Sequence, residues 1–115
     1  MIKIYGIKNC NSIKKTINWF EENKINYEFH DYKKHNIAKA KIESFIENLS
    51  IDKVLNKRGT TWKKLSEQKQ KQAEETTKAI DLMQANTSMI KRPIIEHESG
   101  FIAGFDADEL KRHFL

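Results

Sequence analysis

The sequence has one cysteine, four scattered glycines and no apolar run approaching the ~20 residues that a membrane span needs. Each shortage excludes something. The single Cys10 rules out a disulfide within the chain. Gly59, Gly100 and Gly104 lie too far apart to build a glycine-rich phosphate loop. The start, MIKIYGIKNC, lacks the apolar stretch of a secretory signal, so a cytoplasmic location is expected. His30, His35, His97 and His113 show no metal-ligand spacing with one another or with Cys10, and no metal site is expected. Ser, His and Asp are too dispersed to argue a triad. No repeat, Gly/Ser linker or low-complexity segment is present.

What remains is a 115-residue chain, 38% hydrophobic and 32% charged, which suits a small soluble core under a solvated surface. The net charge is +5. Its lysines are spread along the whole sequence and alternate with Glu and Gln, as in NWFEENK and LSEQKQKQAEETTK. That pattern reads as solvated helix surface. Neither nucleic acid nor membrane is an expected partner.

Apolar spacing gives the order of elements. IKIYG (residues 2–6) reads as a buried strand. From Asn11 to Lys24, Ile13, Thr16, Ile17 and Phe20 recur at helical spacing, with Asn23 as the stop. INYEFHDY (25–32) alternates as a second strand. Strand, helix and strand make a right-handed crossover with parallel strands. Residues 38–49 are amphipathic, Ser50 is a candidate cap for a short helix over 50–55, residues 56–65 read as a loop, and 74–86 as another helix. PIIEH (93–97) and FIAGF (101–105), joined by ESG, read as a hairpin. Asp106 then opens a final helix in a capping-box relation with Glu109. The expected architecture is α/β: β-α-β, a helical insertion over about 33–90, then β-β-α, in one domain spanning 1–115.

Cys10 lies between the first strand and the first helix. Unpaired amides in a helix's first turn, with the macrodipole, favour a negative charge such as a thiolate. The alternative is a buried structural cysteine, but Asn9, Asn11 and Ser12 make a polar setting for one. Ile13 stands where a Cys-x-x-Cys pair would place its second thiol. Any disulfide of Cys10 is therefore made with another molecule, and an external thiol must turn it over. Lys8 is close enough in sequence to lower the thiol pKa, and Asn9 and Asn11 are candidates to cap the helix or bind substrate.

YGIKNCNSIKK, NYEFHDYKK, NKRGTTWKKL, IKRPI and GFDADEL, in this order, resemble the ArsC/Spx/YffB group of thioredoxin-like proteins. RGTTWKKL leans to the YffB branch, called arsenate-reductase-like. The resemblance implies a thioredoxin-like fold with a four-stranded mixed sheet, and a cis peptide at Arg92–Pro93. It implies Cys10 as nucleophile, and Arg58 and Arg92 as the arginines that in arsenate reductases hold the oxyanion and stabilise the thiolate. Arsenate reductases carry a third arginine near the end of the last strand; here Gly104 is the nearest match. The resemblance therefore points to a thiol reductase rather than to arsenate reduction. No bound cofactor is expected, and glutathione or another small thiol is the cosubstrate. Lys8, Asn9, Asn11, Arg58, Arg92 and Pro93 are the expected contacts for the thiol or an anionic substrate. Two alternatives stand beside it: an Spx-like module docking on the RNA polymerase α subunit, and a family member without activity.

Overall fold

A computed structural model describes residues 1–115. Strand β1 (Lys3–Gly6) lies inside a four-stranded sheet, between β2 (Glu28–Asp31) and β3 (Ile94–His97), with β4 (Gly100–Ala103) beyond β3. β1 runs parallel to β2, and antiparallel pairing joins β1 to β3 and β3 to β4, so the sheet is mixed. The expected fold class holds.

Strand alternation sorts the core onto two faces. Ile4, Ile95 and Ile102 point to one side, where helix α1 (Asn11–Glu22) adds Ile13 and Phe20 and the final helix, α8 (Ala107–Phe114), adds Leu110. Tyr5 and Ile94 point to the other side. There α3 (Lys39–Leu49), α4 (Ile51–Val54) and α7 (Thr76–Ala85) supply Ile42, Phe45, Val54, Ala79, Ile80 and Met83. Fully burying a side chain such as Phe20 or Phe45 contributes about 1.5–3 kcal/mol, so each face is held by several such anchors. Thr16, the one buried polar residue, donates from Oγ1 to the Ser12 carbonyl at 2.7 Å, which explains its place on an apolar helix face.

Several local expectations are corrected. β2 is shorter than residues 25–32, because Asp31 Oδ1 accepts from the N–H groups of Lys33 and Lys34 and opens a one-turn helix, α2 (Tyr32–His35). Ser50 precedes α4 but sits at φ +90° and makes no side-chain cap bond. The stretch read as a loop contains α5 (Thr60–Lys63), and α6 (Glu67–Gln72) follows, capped by Ser66 Oγ. At α8, Asp106 Oδ1 accepts from Asp108 and Glu109 N–H, but Glu109 returns no bond to Asp106. No helix is long and apolar enough to cross a membrane.

Candidate active site around Cys10

The site lies where β1 gives way to α1. Cys10 occupies the N-cap position of α1 with an extended backbone, φ −129° and ψ 131°. Neither Asn9 nor Asn11 caps the helix: both are exposed, and no side-chain cap bond is made there. The first turn also carries no acidic residue. Its amides are thus left for the sulfur.

Ile13 fixes this arrangement from below. It is 1% exposed and packs against Gly6, the last residue of β1. A Cβ on Gly6 would collide with Ile13 Cδ1 and stand 2.8 Å from Ile13 Cγ1. Arg92 Cβ lies 3.9 Å from the same point. The absence of a side chain at residue 6 therefore lets β1, the first turn of α1 and the Arg92 segment converge.

Cys10 is half-buried. That burial pushes its thiol pKa up. The Ile13 N–H, the Arg92 guanidinium and the Ser12 N–H all interact with the sulfur and outweigh the burial, so the pKa lies below its ordinary value. Arg92 is itself positioned: Nη1 donates to the Ser88 carbonyl at 3.3 Å. Ser88 belongs to a 3₁₀ turn (Thr87–Met89), and its hydroxyl shares a 2.8 Å hydrogen bond with Thr61 Oγ1 of α5. None of the three ion pairs in the protein uses Arg92, so no carboxylate competes for its charge. The peptide bond Arg92–Pro93 is cis, and Pro93 is buried with its carbonyl accepting from Gly104 N–H at 2.8 Å.

The other expected site residues are placed as follows. Arg58 is exposed in the loop after α4; its N–H donates to Asn56 Oδ1, while its guanidinium makes no ion pair or hydrogen bond within the protein and does not act on Cys10. Backbone bonds from Asn56 N–H to Met89 O (2.7 Å) and from Lys91 N–H to Val54 O (2.8 Å) hold its loop against the chain leading into Arg92. Lys8 and Asn9 are exposed and line a surface cavity with Lys33 and Lys34. Lys8 is not among the groups acting on the thiol. Gly104 has φ +84°, a backbone conformation that disfavours an arginine at that position. Ser88, which positions Arg92, lies in no motif, and Thr61 lies within RGTTWKKL without that run pointing to a bond with Ser88. No group of three or more His, Cys, Asp or Glu side chains is arranged to hold a metal ion.

A half-buried thiol at a helix N-terminus, with one guanidinium beside it, is equipped for nucleophilic attack and for holding an anion. The ArsC family matches residues 5–113. The chain belongs to the ArsC family. Among curated proteins, an uncharacterised protein of Haemophilus influenzae is 34% identical, with 99% of each chain covered. The global transcriptional regulator Spx of Listeria innocua is 25% identical over 97% of this chain and 86% of its own. Among solved structures, the YFFB protein superposes with a TM-score of 0.94 at 37% identity, and both chains are fully covered. An arsenate reductase (ArsC) related protein of Brucella melitensis gives 0.76 at 36% identity, over 99% of this chain and 95% of that one. This ArsC-family chain thus has the arsenate-reductase-like, thioredoxin-like fold with a single cysteine.

Proposed function

We propose that this ArsC-family protein is a cytoplasmic, glutathione-dependent thiol reductase with Cys10 as its only nucleophile. The observation that carries the reading is the place of half-buried Cys10 at the N-cap of α1, where β1 and the Arg92 segment converge at Gly6 and where the first-turn amides and the Arg92 guanidinium lower its thiol pKa. In the reaction, the Cys10 thiolate attacks the glutathione sulfur of a mixed disulfide. That S–S bond breaks, a Cys10–glutathione disulfide forms, and the substrate leaves as a thiolate that takes a proton from solvent. A second glutathione thiolate then attacks the Cys10-bound glutathione sulfur. It departs as oxidised glutathione and returns Cys10 as the thiolate. The mixed disulfide and one incoming glutathione thiol thus become the substrate thiol and one oxidised glutathione. Ile13, sealed in the core, cannot supply a resolving group, which is why the second thiol comes from outside.

In this reading Arg92 holds the sulfur, and Arg58, with no protein partner, receives a carboxylate of the ligand. The backbone beside Pro93 pairs with the peptide of the thiol, and Lys8, Asn9 and Asn11 border it. Arsenate reduction is not part of the proposal, because Gly104 supplies no third guanidinium. The test is mass spectrometry of the reduced protein after exposure to oxidised glutathione near neutral pH, beside Cys10→Ser. The expected result is a single glutathione adduct on the native chain and none on the variant. A native chain that stays unmodified while free cysteine reacts sinks the reading.

The similarity to Spx motivates a second reading, a module that docks on RNA polymerase. Co-purification with the polymerase α subunit that persists in Cys10→Ser favours it over the reductase.

A further inference from the structure

The parallel pairing of β1 with β2 sets Gly6 opposite Asp31, so the loop after β1 and the helix after β2 emerge side by side at the carboxyl ends of the two strands. Between them lies a cavity of about 420 Å³, lined by Ile7, Lys8, Asn9, Asp31, Lys33 and Lys34. That volume is within the range of small-ligand sites, and crevices at the carboxyl ends of parallel strands are where open α/β sheets place ligands. The charge in the cavity is predominantly positive, three lysines to one aspartate. Lys8, Lys33 and Lys34 take part in none of the protein's ion pairs. The single carboxylate, Asp31, is engaged through Oδ1 by the N–H groups of Lys33 at 2.9 Å and Lys34 at 3.2 Å. Three lysines thus line the cavity against one carboxylate, Asp31, whose Oδ1 is turned to backbone amides.

The cavity begins at Asn9, the residue before Cys10. Successive Cα atoms are ~3.8 Å apart, so Lys8 stands within about 8 Å of the nucleophile along the chain. An extended tripeptide spans roughly 10 Å, and a tripeptide thiol bonded to Cys10 can therefore reach the lysines with a terminal carboxylate.

We infer that this cavity is a second anion subsite, distinct from Arg92, in which Lys8, Lys33 and Lys34 receive a carboxylate of the small thiol joined to Cys10, so that the protein selects a carboxylated thiol over a neutral one. The inference rests on the reading of Cys10 as a thiol-exchange centre. The covalent step is the exchange already described, in which one S–S bond breaks as one forms.

The test separates binding from chemistry. Cys10→Ser protein is titrated with S-methylglutathione, which cannot exchange, and backbone amide shifts are followed by NMR. Saturable shifts are expected at residues 7–9 and 31–34. Exposed charge pairs are individually weak, so Lys33→Gln with Lys34→Gln should loosen binding by about threefold to tenfold, and Lys69→Gln with Lys71→Gln, outside the cavity, should not. The dimethyl ester of the same probe should lose binding to a similar extent. No saturable shift, equal binding of the ester, or equal loosening by the two double variants overturns the subsite. In parallel, the native thiol is reacted with oxidised glutathione and with neutral 2-hydroxyethyl disulfide. If the probe binds while neither disulfide reacts, the subsite stands and the reductase reading falls. Exchange with both disulfides at rates that Lys33→Gln/Lys34→Gln leaves in the same ratio overturns the subsite and leaves the reductase.

Discussion

Replacing Arg92 with glutamine removes the one side-chain charge acting on Cys10 but keeps an amide that can still reach the Ser88 carbonyl. The depressed thiol pKa then moves up toward its ordinary value. Alkylation of Cys10 by iodoacetamide across pH should show a midpoint below that of a free cysteine thiol in the native protein and a higher one in Arg92→Gln. Coincident midpoints count against the role of Arg92. At Gly6, Ala brings a methyl into Ile13, which is sealed in the core and has little room to yield. Overpacking of this kind costs about 1–3 kcal/mol. A denaturant titration should report that loss, and adding Ile13→Val should recover part of it. The N-terminal position of Cys10 on its helix was legible because its neighbours are polar and a helix pattern starts just after it. Arg92 was legible only through resemblance. Nothing in the spacing of Ser88 and Thr61 announces a bond between residues 27 positions apart.

Among the helices, the strongly periodic ones and the short α4 could be read in advance, while α2, α5 and α6 could not. α1, α3, α7 and α8 each bury a stripe of side chains, and burial is what writes a period into sequence. α5 and α6 contain no fully buried residue, so they carry no such periodic record. α2 is signalled only by its cap, Asp31, which also ends the strand pattern. Caps are separable in energy from the stripes they precede. Asp106 satisfies two amides of α8 while exposed itself, so Asp106→Ala should destabilise the protein by about 1 kcal/mol, seen as a lowered Tm. Because α8 packs Leu110 against the face that also receives Ile13, its fraying is expected to reach the Cys10 helix. A Tm unchanged within error in Asp106→Ala shows that the cap is dispensable.

Across the whole molecule, one polar knot ties distant parts together. Tyr5 donates to Glu96 Oε1 at 2.7 Å, and Lys41 Nζ lies 3.3 Å from the same oxygen, joining β1, β3 and α3. Burial pushes the Glu96 carboxyl up, but the bonds from Tyr5 and Lys41 outweigh it and hold the carboxyl below its ordinary value. A carboxyl depressed on folding stabilises fully above its unfolded pKa of ~4.3, and that contribution is lost as pH falls through the folded value. Glu96→Gln should therefore lower the Tm at pH 7, and its difference from the native protein should shrink toward pH 3. A gap of constant size at both pH values refutes the assignment.

The same knot spans 91 residues of sequence, and Arg92 lies on the approach to its far end. During synthesis Cys10 leaves the ribosome long before that arginine is made. Until β3 docks beside β1, the nascent polypeptide carries its sulfur without the guanidinium that helps ionise it. The lowered pKa of this thiol is thus a property of the finished topology and not of the local sequence around residue 10 alone.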